Sequence, residues 1–304
     1  MPYGPAAVAE AAARLRAGGV VAVPTETVYG LAADAGSAPA VAGIYAAKGR
    51  PSFNPLLVHV LDLAAAERIA VFSEGARALA ARFWPGPLTM VLPVREGAGI
   101  ASLVTAGLPT VAVRVPAHRA MRAVLAAFVG PLAAPSANRS GGISPTRAAH
   151  VVASLGGAGG LVIDDGATEA GLESTIVAVG EPPRLLRPGP VTAGEVEAVL
   201  GRALAPAGEG IAAPGMLASH YAPGKPVRLG ATAREAGEWL IGFGKVAGDD
   251  TLSATGDLRE AAARLFDALH RADAAAGERI AVAPVPETGL GVAINDRLRR
   301  AAVW

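Results

Sequence analysis

Short apolar runs alternate along the chain with stretches in which apolar residues recur at the spacing of an α-helix. This alternation is typical of α/β proteins. The apolar runs before residue 203 predict strands at Val20–Val23, Leu56–Leu61, Leu88–Leu92, Val111–Val115, Leu161–Ile163, Thr175–Val179 and Leu185–Arg187. The helical spacing predicts helices at Pro5–Ala17, Ala38–Lys48, Ser73–Phe83, His118–Phe128, Pro145–Leu155 and Thr192–Leu200. Because strands and helices do not alternate strictly, we expect a mixed sheet.

A change in composition divides the 304 residues into two predicted domains, joined by a connecting segment. Residues 206–226 contain four prolines among glycines and show little periodicity, which predicts a linker. The first domain then covers residues 1–205 and the second covers residues 227–304. In the second domain we expect strands at Val227–Leu229 and Arg279–Val282, and helices at Ala231–Trp239, Asp257–Ala272 and Gly291–Ala302.

Composition and charge exclude several classes of protein. The chain has no cysteine, so a disulfide framework and a Cys-ligated zinc are ruled out. A net charge of +1 argues against a general polyanion binder, which needs a basic field. Three charged residues interrupt the first 17 positions, and no uncharged apolar stretch is long enough to span a bilayer. We therefore expect a cytoplasmic protein without a membrane segment.

Hydroxyls and a carboxylate follow the first predicted strand in the segment Pro24–Gly30, with the sequence P-T-E-T-V-Y-G. At the carboxyl end of a strand, such side chains point into the crevice where open α/β sheets bind ligands. A turn with threonine as a helix cap explains these seven residues equally well.

A second polar segment, Lys48–Pro55, lies at the end of a predicted helix. Lys48 and Arg50 are favourable there simply because cations stabilise the carboxyl end of a helix. Two prolines and Asn54 nevertheless make this loop rigid and rich in donors, which suits a clamp for phosphate or carboxylate. His59 follows inside an apolar strand, where a satisfied core histidine is the more common outcome.

The segment Pro135–Pro145, P-S-A-N-R-S-G-G-I-S-P, is a glycine-rich loop that leads into a predicted helix. Ser144 and Pro145 form a good N-cap and first-turn pair. Amide groups at such a helix start can bind an anion, although a capped structural loop is equally consistent.

Arg114 is the only charge inside a strand that is otherwise suited to burial. An unpaired buried guanidinium is very costly, so we expect it to meet a carboxylate. That carboxylate belongs either to an Asp or Glu of the protein or to a ligand. Another polar group, Glu173–Thr175, enters a later apolar strand, which Arg184–Arg187 follows.

Together these segments resemble the Sua5/YrdC/YciO family, in its two-domain Sua5 type. The motifs P-T-E-T-V-Y-G-L, K-G-R-P-x-x-N-P-L-x-V-H, P-S-A-N and E-S-T-I-V occur in the family's order. The resemblance covers Ala6–Leu200. It continues in Pro214–Pro223, which is similar to the Sua5 linker motif, and in the G-L-G-V-A-I-N-D-R-L-R-R segment from Gly289. One departure is that Val227–Trp304 is short for a Sua5 C-terminal domain.

The resemblance implies a twisted, mixed-sheet YrdC-like α/β domain with a concave cavity, and a smaller Rossmann-like α/β C-terminal domain. It also implies the conversion of L-threonine, bicarbonate and ATP to threonylcarbamoyl-adenylate and pyrophosphate. This intermediate serves the t6A modification of tRNA, which other proteins complete. Two alternatives remain: a non-catalytic RNA-binding or translation-associated module, and an enzyme that forms a carbamoyl-adenylate for another acceptor.

The resemblance also assigns site residues. The L-threonine site is expected to contain Thr27, His59, Arg114, Ser174 and the backbone at Ala134, with Arg114 pairing the substrate carboxylate. The ATP site is expected to contain Lys48, Arg50, Asn54, Thr110, Ser136, Asn138, Ser144, Arg187 and Tyr221. Lys48 and Arg50 are the expected catalytic cations. No metal site of the protein is expected, since Mg²⁺ would be held through the ATP phosphates, and no stable nucleic-acid binding is expected.

Bulky residues distinguish the linker from a flexible spacer. Met216, His220 and Tyr221 lie among prolines that restrict the chain, which indicates that the linker packs onto something. We expect Pro214–Pro223 to fold over the ATP site as a lid, with Tyr221 against the nucleotide. The alternative is that Tyr221 only packs between the domains.

Overall fold

A ten-stranded mixed sheet forms the frame of the first domain in the computed structural model, which describes residues 1–208, 213 and 220–303. Its strands are β1 (Val21–Pro24), β2 (Tyr29–Asp34), β3 (Leu57–His59), β4 (Leu88–Pro93), β5 (Thr110–Arg114), β6 (Leu132–Ala133), β7 (Leu161–Val162), β8 (Thr175–Ala178), β9 (Arg184–Arg187) and β10 (Ala205–Pro206). Their order across the sheet is β10-β9-β8-β4-β5-β3-β6-β2-β1-β7.

Helices cover this sheet. They are α1 (Pro5–Arg16), α2 (Ala38–Lys48), α3 (Leu63–Ile69), α4 (Glu74–Phe83), α5 (Ser102–Thr105), α6 (Arg119–Phe128), α7 (Ala148–Leu155) and α8 (Ala193–Leu200). Two apolar cores result, one with α2 and α4 and the other with α1 and α6. Helix α8, predicted at Thr192–Leu200, begins with a capping box in which Thr192 and Glu195 exchange hydrogen bonds.

The second domain has a smaller, fully parallel sheet. Its strands β11 (Val227–Leu229), β12 (Glu238–Gly242), β13 (Asp250–Thr251) and β14 (Arg279–Val282) lie in the order β11-β14-β12-β13. The helices α9 (Leu258–Ala274) and α10 (Leu290–Ala301) pack on it. Within the described residues, no helix is long and apolar enough to cross a membrane.

The seven strands predicted for the first domain all occur, but the two-residue strands β6 and β10 and the longer strand β2 were missed. The segment Pro24–Gly30 is a hairpin turn between β1 and β2, in which Val23 pairs with Gly30. Thr25 holds the turn, since its hydroxyl donates to the carbonyl oxygen of Val28 at 2.7 Å. The threonine expected as a helix cap therefore stabilises a β-turn instead.

The predicted helix Pro145–Leu155 begins only at Ala148, and Ser144 is not its cap. The carbonyl oxygen of Pro145 accepts a hydrogen bond from the amide of Tyr29 at 2.8 Å, which keeps this segment extended alongside β2. The Ser144 hydroxyl is directed elsewhere and donates to the carboxylate of Glu173. The helix-start explanation of Ser144 is therefore wrong.

The helix predicted at Ala231–Trp239 is also wrong, because its last two residues belong to β12. Gly237 has a left-handed backbone conformation (φ 78°) that ends any local helix. Glu238 then enters the sheet, where Arg228 binds its carboxylate at 2.7 Å and lowers the pKa of that group to about 2.

The two domains share an apolar core. Val28 and Leu172 of the first domain belong to the same buried cluster as Tyr221 and Phe266. The approach is close at Gly171, where a Cβ atom would lie 2.4 Å from the carbonyl oxygen of Ala262 on α9. The second domain is therefore packed directly beside the end of the first sheet.

A pair of stacked histidines also joins the domains. His150 on α7 and His270 on α9 have ring centroids 3.8 Å apart. His150 lies 3.4 Å from the carboxylate of Asp267, and Nε2 of His270 lies 3.1 Å from the carbonyl oxygen of Ser144. Burial, and then the neighbouring His150, lower the pKa of His270 to about 4, so its ring is neutral at pH 7.

Acidification is expected to weaken the fold through His270. Its pKa is about 4 in the folded chain and 6.5 in the reference state, so the unfolded chain binds the proton first and stability falls between these values. Between pH 7 and 4.5 the wild type should lose about 2 kcal/mol more than His270→Gln in urea unfolding. An equal loss in both proteins would contradict the assignment.

Candidate active site

A cavity opens where the hairpin turn, the ends of strands β3, β5, β8 and β9, and His220 and Tyr221 of the connecting segment meet. The space between the protein atoms is about 560 Å³ when the mouth is included. The free volume inside the cavity is only about 50 Å³. The described residues that line it are Thr25, Thr27, Val28, Gly30, Arg50, Leu57, His59, Arg114, Ala134, Pro135, Ser136, Glu173, Ser174, Ile176, Arg187, His220 and Tyr221.

All five residues predicted for the threonine site line this cavity, namely Thr27, His59, Arg114, Ala134 and Ser174. The sheet brings them together from distant positions of the chain. In the parallel pair β3–β5, His59 lies opposite Arg114, and the amide of Ala134 donates to the carbonyl oxygen of Leu57 at 2.8 Å. A single patch of sheet thus presents a guanidinium, an imidazole and two hydroxyls.

Arg114 is buried and finds its carboxylate within the protein. Its Nη2 lies 2.6 Å from Oε1 of Glu26, its Nη1 donates to Oγ1 of Thr27 at 2.9 Å, and its Nε donates to the carbonyl oxygen of Gly86 at 3.0 Å. Burial alone would raise the pKa of Glu26, but the Arg114 charge lowers it below the usual value. The carboxylate expected beside Arg114 is therefore that of Glu26, and the guanidinium is paired without any ligand.

His59 is not a satisfied core histidine. It is buried, yet neither ring nitrogen has a hydrogen-bond partner among the described residues. Burial, and then the positive charge of Arg114, lower the pKa of His59 to about 3. The ring is therefore neutral at pH 7 and offers one donor and one acceptor to the cavity.

The two expected catalytic cations occupy different positions. Arg50 lines the cavity, with its Nε and Nη2 donating to the carbonyl oxygens of Asn54 and Pro55 at 3.2 and 2.9 Å. Lys48 lies behind the cavity and is buried; its Nζ donates to the carbonyl oxygens of Ser136, at 2.6 Å, and of Asn138. Lys48 therefore holds the P-S-A-N loop in place, while Arg50 faces the cavity.

Of the remaining residues predicted for ATP, some reach the cavity and others do not. Ser136, Arg187 and Tyr221 line it, whereas Asn54, Thr110, Asn138 and Ser144 lie outside its described lining. Asn138 ties the glycine-rich loop together by donating to the carbonyl oxygens of Arg139 and Gly142, both at 2.8 Å. Thr110 begins β5, at the opposite end of the strand from Arg114.

Glu173 is a cavity residue to which the sequence analysis gave no role. Ser144 donates to its Oε1, and Nε of Arg297 donates to its Oε2 at 3.0 Å. Burial alone would raise the pKa of Glu173, but Arg297 and then Arg187 lower it below the usual value. The E-S-T motif was the available signal for Glu173, but its partner lies 124 residues away.

Tyr221 lies both in the cavity lining and between the domains. Its ring centroid is 4.1 Å from that of His220 and 5.5 Å from that of Phe266 on α9, and the guanidinium carbon of Arg297 lies 5.3 Å from it. Residues 214–219 of the predicted lid lie outside the described residues. Of this segment, His220 and Tyr221 line the cavity.

Fold and site together define a class: two-domain α/β proteins whose mixed sheet carries an arginine-lined cavity, with a smaller parallel domain packed beside it. A family model for Sua5, YciO and YrdC, described as "Telomere recombination", matches residues 13–189. A second model, described as "Threonylcarbamoyl-AMP synthase, C-terminal domain", matches residues 191–303. The chain belongs to the Sua5/YciO/YrdC family, as its sequence motifs predicted.

Similar proteins extend over almost the whole chain. The threonylcarbamoyl-AMP synthase of Bacillus subtilis (strain 168) is 40% identical over 326 residues, which is 97% of this chain and 92% of the relative. The synthase of Pyrococcus abyssi is 41% identical over 317 residues, with 96% and 93% covered. The crystal structure of P. abyssi Sua5 complexed with L-threonine superposes with a TM-score of 0.90 over 97% of this chain and 94% of that one, at 40% identity. The expected fold class is thereby confirmed.

Proposed function

We propose that this protein is a threonylcarbamoyl-AMP synthase, a nucleotidyltransferase that converts L-threonine, bicarbonate and ATP to threonylcarbamoyl-adenylate and pyrophosphate. One observation carries the proposal: the sheet gathers all five residues predicted for threonine in one cavity with Arg50 and Arg187. The relatives named as synthases, at about 40% identity over nearly the full chain, support it. Residues 1–205 form the proposed catalytic domain, residues 206–226 the lid segment and residues 227–304 the accessory domain.

The threonine end of the cavity suits an amino acid. Arg114 and the Ser174 hydroxyl are placed to bind a carboxylate, and neutral His59 can accept a hydrogen bond from an amine N–H or donate one to an oxygen. Bound bicarbonate and the threonine amine would form a carbamate with loss of water. No nucleophile of the protein is needed, because the carbamate itself attacks.

The ATP end of the cavity carries positive charge. In the adenylation step, a carbamate oxygen attacks the α-phosphorus and the bond to the departing pyrophosphate breaks. Arg50 and Arg187 supply guanidinium groups for the negative charge on the phosphates, and Lys48 fixes the loop that presents Ser136. Preorganised cations of this kind are the main source of catalysis in phosphoryl-type transfer.

The described lining does not supply a magnesium site of its own. Glu173 is its only carboxylate, and that group is bound by Ser144 and Arg297. Across the described residues, no group of three or more His, Asp or Glu side chains could hold a metal ion. We therefore propose Mg²⁺ only as a companion of ATP, held by phosphate oxygens and water.

The small free volume supports the lid. About 50 Å³ is far below the several hundred Å³ of a typical ligand pocket, so the cavity must widen before a nucleotide enters, and we propose that His220 and Tyr221 move to widen it. On closure, Tyr221 would pack against the bound nucleotide and help to exclude water from the reacting atoms. The predicted interface role of Tyr221 is compatible, since the same ring contacts Phe266.

Tyr221→Ala is expected to weaken ATP binding roughly tenfold, because an aromatic contact is worth up to about 1.5 kcal/mol. Isothermal titration with a non-hydrolysable ATP analogue measures this effect. Tyr3→Ala, which removes a tyrosine outside the cavity, is the matched control. Unchanged affinity in folded Tyr221→Ala would limit this residue to the domain interface.

Pyrophosphate release tests the proposed function directly. Wild-type protein should release pyrophosphate from ATP only when threonine and bicarbonate are both present. Release that depends on another acceptor would support the alternative carbamoyl-adenylate enzyme. No release, combined with tRNA affinity that falls steeply with salt, would support the RNA-binding alternative. Transfer of the intermediate to t6A-forming proteins and a cytoplasmic location remain parts of the proposal.

A further inference from the structure

A fully buried arginine of the second domain contacts the first domain beside the cavity. Arg297 lies on α10 with no exposed surface, and it does not line the cavity. Its Nε donates to Oε2 of Glu173 at 3.0 Å, and its Nη1 donates to the carbonyl oxygen of Pro188 and to Asp296, each at 2.8 Å. Burying a guanidinium costs free energy unless its charge is paired and its N–H groups have hydrogen-bond acceptors.

The two partners of Arg297 in the first domain lie at the cavity, since Glu173 lines it and Pro188 is next to the lining residue Arg187. Glu173 precedes Ser174 at the start of β8, and Pro188 follows Arg187 at the end of β9. Arg187 in turn donates from Nε and Nη2 to the carbonyl oxygen of Ser174 at 3.0 and 2.9 Å. Arg297 therefore contacts the start of β8 and the end of β9 from the side of the second domain.

The backbones at the start of β8 and just after β9 are closely packed. Gly189 lies so close to β8 that a Cβ atom there would be 2.5 Å from the amide nitrogen of Thr175 and 2.8 Å from the carbonyl oxygen of Glu173. A displacement of Glu173 is thus passed on to its neighbours. The Arg297 guanidinium also lies over the ring of Tyr221, so the same group supports the lid end.

We propose that Arg297 is a positioning residue of the synthase, through which the second domain sets the places of Ser174, Arg187 and Tyr221. This inference rests on the proposed function and deepens it, because it gives the second domain a defined role in the reaction. Arg297 contacts neither substrate; it acts through Glu173 and the Pro188 carbonyl. A guanidinium is needed because a lysine cannot donate in these separate directions at once.

Steady-state kinetics of Arg297→Lys test this role. The variant keeps the charge, and we expect KM for threonine and for ATP to rise about tenfold or more, since small misplacements of binding groups are costly. The matched control is Arg299→Lys on the same helix, whose exposed side chain pairs with Glu287. Wild-type KM values in folded Arg297→Lys would overturn the proposal, and so would a change in thermal stability alone.

A double-mutant cycle separates positioning from general damage to the domain interface. If Arg297 acts through Glu173, then Arg297→Lys combined with Glu173→Gln should be within about twofold of the more severe single variant. Multiplying effects would mean independent roles and would contradict the inference. Glu173→Asp, which keeps the charge but shortens the side chain, should raise both KM values even if Arg297→Lys does not fold.

Direct binding keeps this test distinct from that of the proposed function. If the wild type releases no pyrophosphate with threonine, the proposed function fails first. Calorimetric titration of threonine and of an ATP analogue into Arg297→Lys still reports on positioning. Affinities equal to those of the wild type would then overturn the inference by themselves.

Discussion

Arg50→Ala is expected to lower the rate of adenylate formation by about two orders of magnitude or more, with the fold intact. Loss of one preorganised donor to a charged transition state typically costs on the order of 3 kcal/mol. Arg50 lines the cavity and is anchored by two carbonyl oxygens of its own loop, so its removal leaves the sheet untouched. Threonine-dependent pyrophosphate release measures the effect.

Two further variants show whether a lower rate in Arg50→Ala comes from the loss of this guanidinium. Arg68→Ala, an exposed cation on α3, is the matched control and should react at the wild-type rate. Lys48→Ala should also lose about two orders of magnitude, but through the P-S-A-N loop that Lys48 holds, and therefore with a lower melting temperature. A folded Arg50→Ala with normal turnover would remove this residue from the mechanism.

Arg114→Met is expected to weaken threonine binding far more than ATP binding. The substrate carboxylate would lose its guanidinium partner, which in a buried site costs about 3 kcal/mol or more. Titration of threonine and of an ATP analogue into the variant measures both affinities. The buried Glu26 carboxylate also loses its partner, so we expect a lower melting temperature as well.

Glu26→Gln separates the substrate role of Arg114 from its structural role. This variant leaves the guanidinium without its internal carboxylate, so threonine should still bind and should bind at least as tightly as in the wild type. Equal weakening of threonine and ATP in Arg114→Met would indicate damage to the sheet. Unchanged threonine affinity there would assign Arg114 to the ion pair with Glu26 alone.

Local pattern predicted most elements, and it failed where long-range contacts decide the conformation. Strand β2 was missed because its six residues follow a polar motif that also suits a turn, and pairing with β1 and β6 makes them a strand. The side chains of Glu238 and Trp239 do not themselves exclude a helix. Their place in β12 is set by pairing with Arg279 and Ile280 of β14.

The sequence predicted many of the residues that line the site, but not which side chains pair with each other there. The sequence showed that Arg114 needs a carboxylate, yet Glu26 lies 88 positions earlier, and no local rule connects them. Glu173 and Arg297 are hidden from sequence reasoning in the same way. Lys48 and Arg50 lie two positions apart in one motif, but backbone geometry sends one behind the cavity and the other into it.

The conformation of Tyr221 has an energetic consequence for turnover. Its backbone is left-handed (φ 66°), which costs a bulky residue about 1–2 kcal/mol, and its buried hydroxyl has no hydrogen-bond partner among the described residues, which costs about 1–3 kcal/mol. Packing against Phe266 and Arg297 offsets these costs while the site is shut. Both costs are relieved when Tyr221 leaves this position. In the proposed reaction they would lower the barrier to opening the proposed lid, so that the mixed-anhydride product leaves without a large release barrier.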